Sequence, residues 1–252
     1  MLAYFERHFR EYGLLLEHTP IRVPTYKDNG TELVLTDTGT KLQAISPYFT
    51  APCAQGARGD PVYVGAGEAK DYEGVDITGK IVILCEASLG FSHFWLGPYA
   101  QEAAERGAIG MIVIHPFPWP YRMSMEAGNI NIERRFVERQ VPAASISALD
   151  ALVLMRHLGE GKTRAFIKVD SALPDVDSTV LGGVIQGSRW PDERAAVIGH
   201  RDTGYPPGAN DNDSSLGCIL EIAMVLGKRR RLRTIELICS VAEEGVSPGA
   251  LQ

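Results

Sequence analysis

Residues 194–245 decide the fold of this chain; they read RAAVIGHRDTGYPPGANDNDSSLGCILEIAMVLGKRRRLRTIELICSVAEEG. The apolar runs near both ends are typical of buried strands. The segment between them places Leu216, Ile219 and Ala223 on one face of a helix, which Asp213 or Ser214 can cap. A strand, a helix and a second strand in this order predict two neighbouring strands of an α/β sheet.

Both strands of this unit are followed by residues that carry chemistry. These are His200, Asp202, Asp211, Glu243 and Glu244. Ligands of α/β sheets bind at the carboxyl ends of the strands, so the five side chains are expected to meet there. A lone His-x-Asp or Glu-Glu pair usually lies on the protein surface and has no catalytic or binding role. Carboxylates that approach within about 4 Å repel one another unless a cation intervenes. The pattern therefore predicts a divalent metal, and a histidine with carboxylates suits zinc.

Composition excludes several other classes of protein. The 252 residues are 45% apolar and 22% charged, which is typical of a globular chain. A net charge of −6 argues against a nucleic-acid partner, and the one basic run, residues 228–233, is interpreted as a solvated connection. No secretory signal is evident and the apolar runs are far too short to span a bilayer, so no membrane partner is predicted. Cys85 and Cys239, in apolar strands, favour a reducing compartment such as the cytoplasm.

The remainder of the chain divides into two further ranges. Residues 1–44 predict a helix followed by extended segments. Residues 45–172 open with a loop rich in Gly, Pro and Ala, then alternate strands with helices, which predicts parallel pairing. The third range, 173–252, contains the segment quoted above. The predicted fold class is α/β throughout.

Three motifs resemble those of the co-catalytic zinc aminopeptidases, a family that includes leucyl aminopeptidases, glutamate carboxypeptidase II and the non-catalytic transferrin receptor. The motifs are GHRD at 199–202, GANDNDS at 208–214 and AEEG at 242–245. The middle range resembles the protease-associated domain inserted in many members, on the stretches VDITGKIVILCEA, AQEAAERGAIGMIVIH and VPAASISALDALVLM. The resemblance implies part of an α/β/α sandwich with a mixed sheet, from residues 1–44 and 173–252, and an inserted α/β domain at 45–172.

The resemblance also implies two zinc ions and a role for each site residue. His200 would bind one ion, Asp211 would bridge both, and Glu244 would bind the other. Asp202 would accept a hydrogen bond from the outer nitrogen of His200 and fix its tautomer. Glu243 would be the general base that takes a proton from the attacking water.

The activity implied by the resemblance is metal-dependent removal of N-terminal residues from peptides. The family pattern needs a further Asp and a further His ligand, which are expected beyond Gln252, so the chain is interpreted as the front part of a larger peptidase. Two alternatives stay open: a non-catalytic binding or scaffold member of the fold, and a carboxypeptidase of the family. A peptide substrate is the predicted partner, and homodimer formation is left open.

Overall fold

A computed structural model describes residues 1–85, 96–115, 140–161, 164–203 and 208–244. The α-helices of these residues are α1 (Leu2–Glu11), α2 (Gly97–Glu105), α3 (Ala148–Gly159) and α4 (Asp213–Gly227). The strands are β1 (Leu15–Pro24), β2 (Lys27–Leu35), β3 (Thr40–Leu42), β4 (Ala44–Ile45), β5 (Cys53–Gly59), β6 (Pro61–Tyr63), β7 (Ile81–Cys85), β8 (Gly110–Ile114), β9 (Ala143–Ile146), β10 (Ala165–Ala172), β11 (Asp175–Ile185), β12 (Gly187–His200) and β13 (Arg231–Ser240). None of the described helices is both long and apolar enough to cross a bilayer.

The chain divides into two compact units, and this division differs from the predicted ranges. The terminal unit comprises residues 1–25 and 175–252, and the middle unit comprises residues 26–174. The sequence instead placed the first boundary between residues 44 and 45. The difference arises because β2 and β3 belong to the sheet of the middle unit, where β2 pairs with β10.

The terminal unit is built on one mixed sheet with the strand order β1-β11-β13-β12. β12 and β13 run parallel and the other two pairings are antiparallel. Side chains of α1 and α4, including Phe9, Leu216 and Ile219, form one apolar cluster with Leu181 and Leu237 of the sheet. The predicted mixed α/β class is thus confirmed, as are the two helices.

One prediction for this sheet was wrong. The run RAAVIGH was expected to be a buried strand, but within β12 the side chains of Val197 and Ile198 are 36% and 55% exposed. The physical reason is position, because β12 lies at the edge of the described sheet and pairs only with β13 there. Apolar composition alone does not distinguish an edge strand from a central one.

A glycine on β11 permits the close approach of α1. A Cβ atom added at Gly183 would lie 2.6 Å from the Phe9 ring and 2.8 Å from the Leu14 side chain. We expect Gly183→Ala to lower the free energy of unfolding by about 1–3 kcal/mol through overpacking, as measured by urea unfolding. Gly182→Ala is the matched control, because its nearest neighbour lies at 3.4 Å. Equal effects at the two positions would contradict this assignment.

The middle unit contains two sheets, with the orders β3-β2-β10-β5 and β4-β9-β8-β7-β6. The pairing of β7 with β8 and of β8 with β9 is parallel, as the alternation of strands and helices predicted. The predicted loop over residues 46–61 is wrong in part, since residues 53–59 form β5 and pair with β10. The pairing partner overrides the low strand propensity of this Gly- and Ala-rich segment.

The thiol of Cys239 is fully buried within β13, as predicted, whereas Cys85 is half-buried. Burial raises the pKa of the Cys239 thiol from its ordinary value of 9.0 to about 12. Between these values the unfolded chain loses this proton and the folded chain keeps it, so stability falls as pH rises.

Alkaline unfolding tests the buried state of Cys239. From pH 8 to 10.5 this one group is expected to cost the folded state about 2 kcal/mol, because only the unfolded thiol ionises there. Cys239→Ala should remove that part of the pH dependence in urea unfolding measured at both pH values. Cys218→Ala is the control because Cys218 is exposed. An unchanged pH dependence in Cys239→Ala would disprove the prediction.

Candidate metal centre

Parallel pairing of β12 with β13 brings the predicted site residues to one edge of the sheet. His200 is the last residue of β12 and lies opposite Ser240, the last residue of β13. Glu243 and Glu244 lie three and four residues after the end of β13, and Asp211 lies two residues before α4. The chain returns from β12 to its parallel neighbour through α4, so all of these residues gather at the carboxyl ends of the two strands.

His200 is buried, with 8% of its side chain exposed, and both ring nitrogens face oxygen atoms. Nδ1 lies 3.0 Å from the main-chain carbonyl oxygen of Asp202. A carbonyl only accepts, so Nδ1 is the nitrogen that carries the proton. In the neutral ring Nε2 then presents a lone pair, yet it lies 3.0 Å from the Asp211 carboxylate oxygen Oδ1. Two acceptors face each other, and this arrangement requires a second proton or a cation.

One group of potential metal ligands occurs among the described residues. It consists of His200, Asp211 and Glu244, each offering one ligand atom, and these atoms all lie within 4.8 Å of one another. One imidazole and two carboxylates are a donor set that zinc accepts, with bonds of about 2.0–2.2 Å. At a tetrahedral angle two such bonds separate their ligand atoms by about 3.5 Å, so a spacing of at most 4.8 Å admits one zinc ion or two ions that share a ligand. The Asp211 side chain is 68% exposed, which leaves the site open on that side.

Glu243 stands beside this group without belonging to it. Its Oε2 lies 3.6 Å from His200 Nε2, and its side chain is 47% exposed. The preceding residue, Ala242, adopts a left-handed backbone with φ of 59°. This conformation costs of order 1–3 kcal/mol in a residue with a side chain. The turn at Ala242 directs the chain after β13 so that Glu244 reaches the ligand group while Glu243 lies beside it.

Asp202 is placed differently from the prediction. Its backbone carbonyl, and not its carboxylate, accepts from His200 Nδ1, and the nearest carboxylate oxygen is 3.7 Å from that nitrogen. The carboxylate oxygen Oδ2 instead accepts a hydrogen bond of 3.1 Å from the main-chain N–H of Glu244. Asp202 therefore joins the segment after β12 to the segment after β13, in addition to orienting the imidazole.

Replacing Asp202 separates these two contributions. Asp202→Ala is expected to lower the free energy of unfolding by about 1–3 kcal/mol, because the Glu244 N–H loses its acceptor. We expect the zinc affinity to fall about 10–100-fold as the ligand segments lose their support. Asp202→Asn keeps one carbonyl acceptor and should show a smaller loss, measured by urea unfolding and zinc calorimetry. Identical behaviour of Asp202→Ala and the exposed-site control Asp213→Ala would contradict the assignment.

Two supporting contacts were missed by sequence reasoning. The Thr203 hydroxyl donates to the main-chain carbonyl of Asp211 at 3.1 Å, and so holds the ligand loop against the segment after β12. Gly199 allows α4 to approach, since an added Cβ would lie 2.7 Å from Ser215 Oγ. The helix cap also differs, because the N-cap is Asn212 and it makes no side-chain cap bond. The glycine that precedes the His-x-Asp motif is the one sequence signal that could have predicted the close approach of α4.

The comparison with known families covers this site. Residues 180–251 match the family model described as Peptidase family M28. This segment is similar to peptidase family M28. The matched range contains His200, Asp202, Asp211, Glu243 and Glu244.

Curated relatives extend the similarity beyond residues 180–251. Carboxypeptidase Q of Xenopus laevis is 25% identical over 248 residues, which cover 92% of this chain and 51% of the relative. Minor extracellular protease Vpr of Bacillus subtilis is 33% identical over 108 residues, or 43% of this chain and 11% of the relative. The chain thus spans about half, or less, of the length of these relatives. The resemblance of the middle unit to a protease-associated domain stays a prediction.

Solved structures show the same fold. A zinc aminopeptidase from Bacillus subtilis aligns over 96% of this chain and 54% of its own, with a TM-score of 0.74 and 21% identity. An aminopeptidase from Aneurinibacillus sp. strain AM-1 aligns over 97% of this chain and 57% of its own, with a TM-score of 0.70 and 22% identity.

Proposed function

We propose that this chain supplies zinc ligands and the general base of an exopeptidase. The observation that carries the proposal is the meeting of His200 Nε2 with an Asp211 carboxylate oxygen at 3.0 Å, with a Glu244 ligand atom within 4.8 Å of both. A bound cation would stabilise these facing acceptor atoms. The ligand types, one imidazole and two carboxylates, are those found at catalytic zinc sites. The match of residues 180–251 to peptidase family M28 supports a metal-dependent peptidase.

Each ligand has a separate part in this proposal. His200 would hold one of two zinc ions and Glu244 the other, and Asp211, the most exposed of the three residues, would be shared between them. The contact from His200 Nδ1 to the Asp202 carbonyl keeps the Nε2 lone pair directed into the site. Bound zinc supplies Lewis acidity toward a carbonyl oxygen and makes water nucleophilic near neutral pH.

Glu243 performs the proton transfers. Its carboxylate lies beside His200 Nε2 and is half exposed, so it can reach both the water and the substrate. It takes the proton from water as that water attacks the peptide carbonyl, and it delivers the proton to the departing amine. General acid–base catalysis of this kind contributes about 10²–10⁴-fold to the rate.

Aminopeptidase action is the first choice and carboxypeptidase action is the second. The name of the Xenopus laevis relative, carboxypeptidase Q, favours the second candidate. Retention of the three potential ligands with an adjacent glutamate argues against a non-catalytic scaffold.

Zinc calorimetry and paired peptides test the proposal. The chain should bind zinc, and the full-length protein should hydrolyse peptides with a free N-terminus in a zinc-dependent and chelator-sensitive reaction. An N-acetylated peptide should resist cleavage, whereas a C-terminally amidated peptide should not. The reverse pattern of protection would assign a carboxypeptidase. Absence of zinc binding would refute the metal centre itself.

A further inference from the structure

A dense basic patch lies on the terminal unit. It is formed by the amino-terminal part of β12 and by the segment leading into β13. Its cations are Arg189, Arg194, Lys228, Arg229, Arg230, Arg231 and Arg233. Residues 187–200 and 228–233 contain these seven cations and two carboxylates, a net charge of +5, so the remainder of the chain carries −11. Cations are therefore concentrated in these two ranges of the sequence.

Specific contacts hold the like charges of the basic patch together. The guanidinium groups of Arg189 and Arg233 lie over the Trp190 ring, at 4.6 and 4.9 Å from its centroid. Arg230 Nε donates to Ser188 Oγ at 3.0 Å. Within the part of the chain that the structure describes, two of the seven cations form an ion pair with a carboxylate: Arg194 pairs with Glu236, and Arg233 pairs with Glu193.

The basic patch and the candidate metal centre lie at opposite ends of the same strands. Arg231 begins β13 and lies opposite Gly187, whereas Ser240 ends β13 opposite His200. Nine residue steps of about 3.3 Å separate the two ends by about 30 Å. A partner bound at the basic patch therefore leaves the metal centre accessible.

We propose that the basic patch docks the protein onto an anionic lipid bilayer. Leu232, which lies among the cations in the sequence, is 50% exposed. Inserting this apolar side chain into the acyl region of a bilayer is favourable, whereas a polyanion that offers only phosphate groups provides no such burial. Trp190 is a residue type enriched at the membrane interface. Its ring already lies under two guanidinium groups, which disfavours the base stacking that single-stranded nucleic acid uses.

Vesicle sedimentation with matched variants tests the docking. The 252-residue chain should sediment with vesicles of equal parts phosphatidylglycerol and phosphatidylcholine, and not with phosphatidylcholine alone. Binding should weaken as salt rises. Lys228→Gln/Arg229→Gln should lower the partition coefficient about thirtyfold, because each cation near an anionic surface contributes about fivefold to the binding constant. Lys27→Gln/Lys41→Gln removes two exposed cations of the middle unit and should change nothing.

Leu232→Thr distinguishes a bilayer from other polyanions. It should weaken vesicle binding while leaving the affinity for a DNA duplex unchanged. Equal binding to neutral and anionic vesicles, or an equal loss in the Lys27→Gln/Lys41→Gln control, would overturn the proposal. Binding of the DNA duplex that exceeds vesicle binding, with no effect of Leu232→Thr on either, would assign the basic patch to nucleic acid instead.

Discussion

Glu243→Gln is expected to leave zinc affinity within a fewfold of the wild-type value and to lower peptide hydrolysis about 10²–10⁴-fold. The amide is nearly isosteric with the carboxylate but cannot accept a proton from water. Glu243 offers no atom to the ligand group of His200, Asp211 and Glu244, so its loss should spare metal binding. Calorimetry with zinc and a peptide hydrolysis assay on the same preparation measure the two effects.

Glu244→Gln is the matched control for this experiment, since it changes the adjacent residue in the same way. It removes a charged ligand and should weaken zinc binding directly. The proposed division of roles between the two glutamates requires opposite patterns in the two variants. Loss of zinc in Glu243→Gln, with retention in Glu244→Gln, would exchange their roles.

The second large effect is expected at His200. His200→Ala removes the neutral nitrogen ligand and should weaken zinc binding by on the order of a hundredfold or more, since the total free energy of a zinc site is shared by a few ligands. Zinc binds the folded state, so the increase of the melting temperature on adding zinc should shrink in the variant. Calorimetry and thermal unfolding with and without zinc measure both quantities.

His18→Ala provides the comparison for this variant. His18 also contacts a carboxylate, Glu6, at 2.7 Å, but its side chain is 40% exposed and lies outside the candidate metal centre. The His18→Ala variant should therefore keep the full increase of the melting temperature on adding zinc. An equal loss of zinc affinity in the two histidine variants would show that binding occurs through exposed surface groups.

Much of the terminal unit was predictable because its local signals agree with its tertiary structure. The apolar face of α4 and the helix α1 both follow from spacing alone, and the strand end at His200 follows from the apolar run before it. The meeting of His200 with Asp211 was expected because α/β topology brings strand ends together. The assignment of ligands and base to particular residues stays a prediction.

The features that escaped prediction depend on partners distant in sequence. Nothing local shows that β12 has one described neighbour, so the exposure of Ile198 could not be read from its composition. β5 forms only because β10 offers a pairing edge. The contact of the Asp202 carboxylate with the Glu244 N–H joins residues 42 positions apart and involves a backbone donor, which carries no sequence signature.

The contact from Asp202 to the Glu244 amide also bears on how the protein acquires metal. This hydrogen bond joins the two ligand-bearing segments through protein atoms alone. Zinc would therefore meet two ligand-bearing segments that are already joined, and its capture there would cost little chain ordering. Loading would then be a simple encounter and not a coupled folding event, unlike that of small zinc modules that are unstructured without their ion.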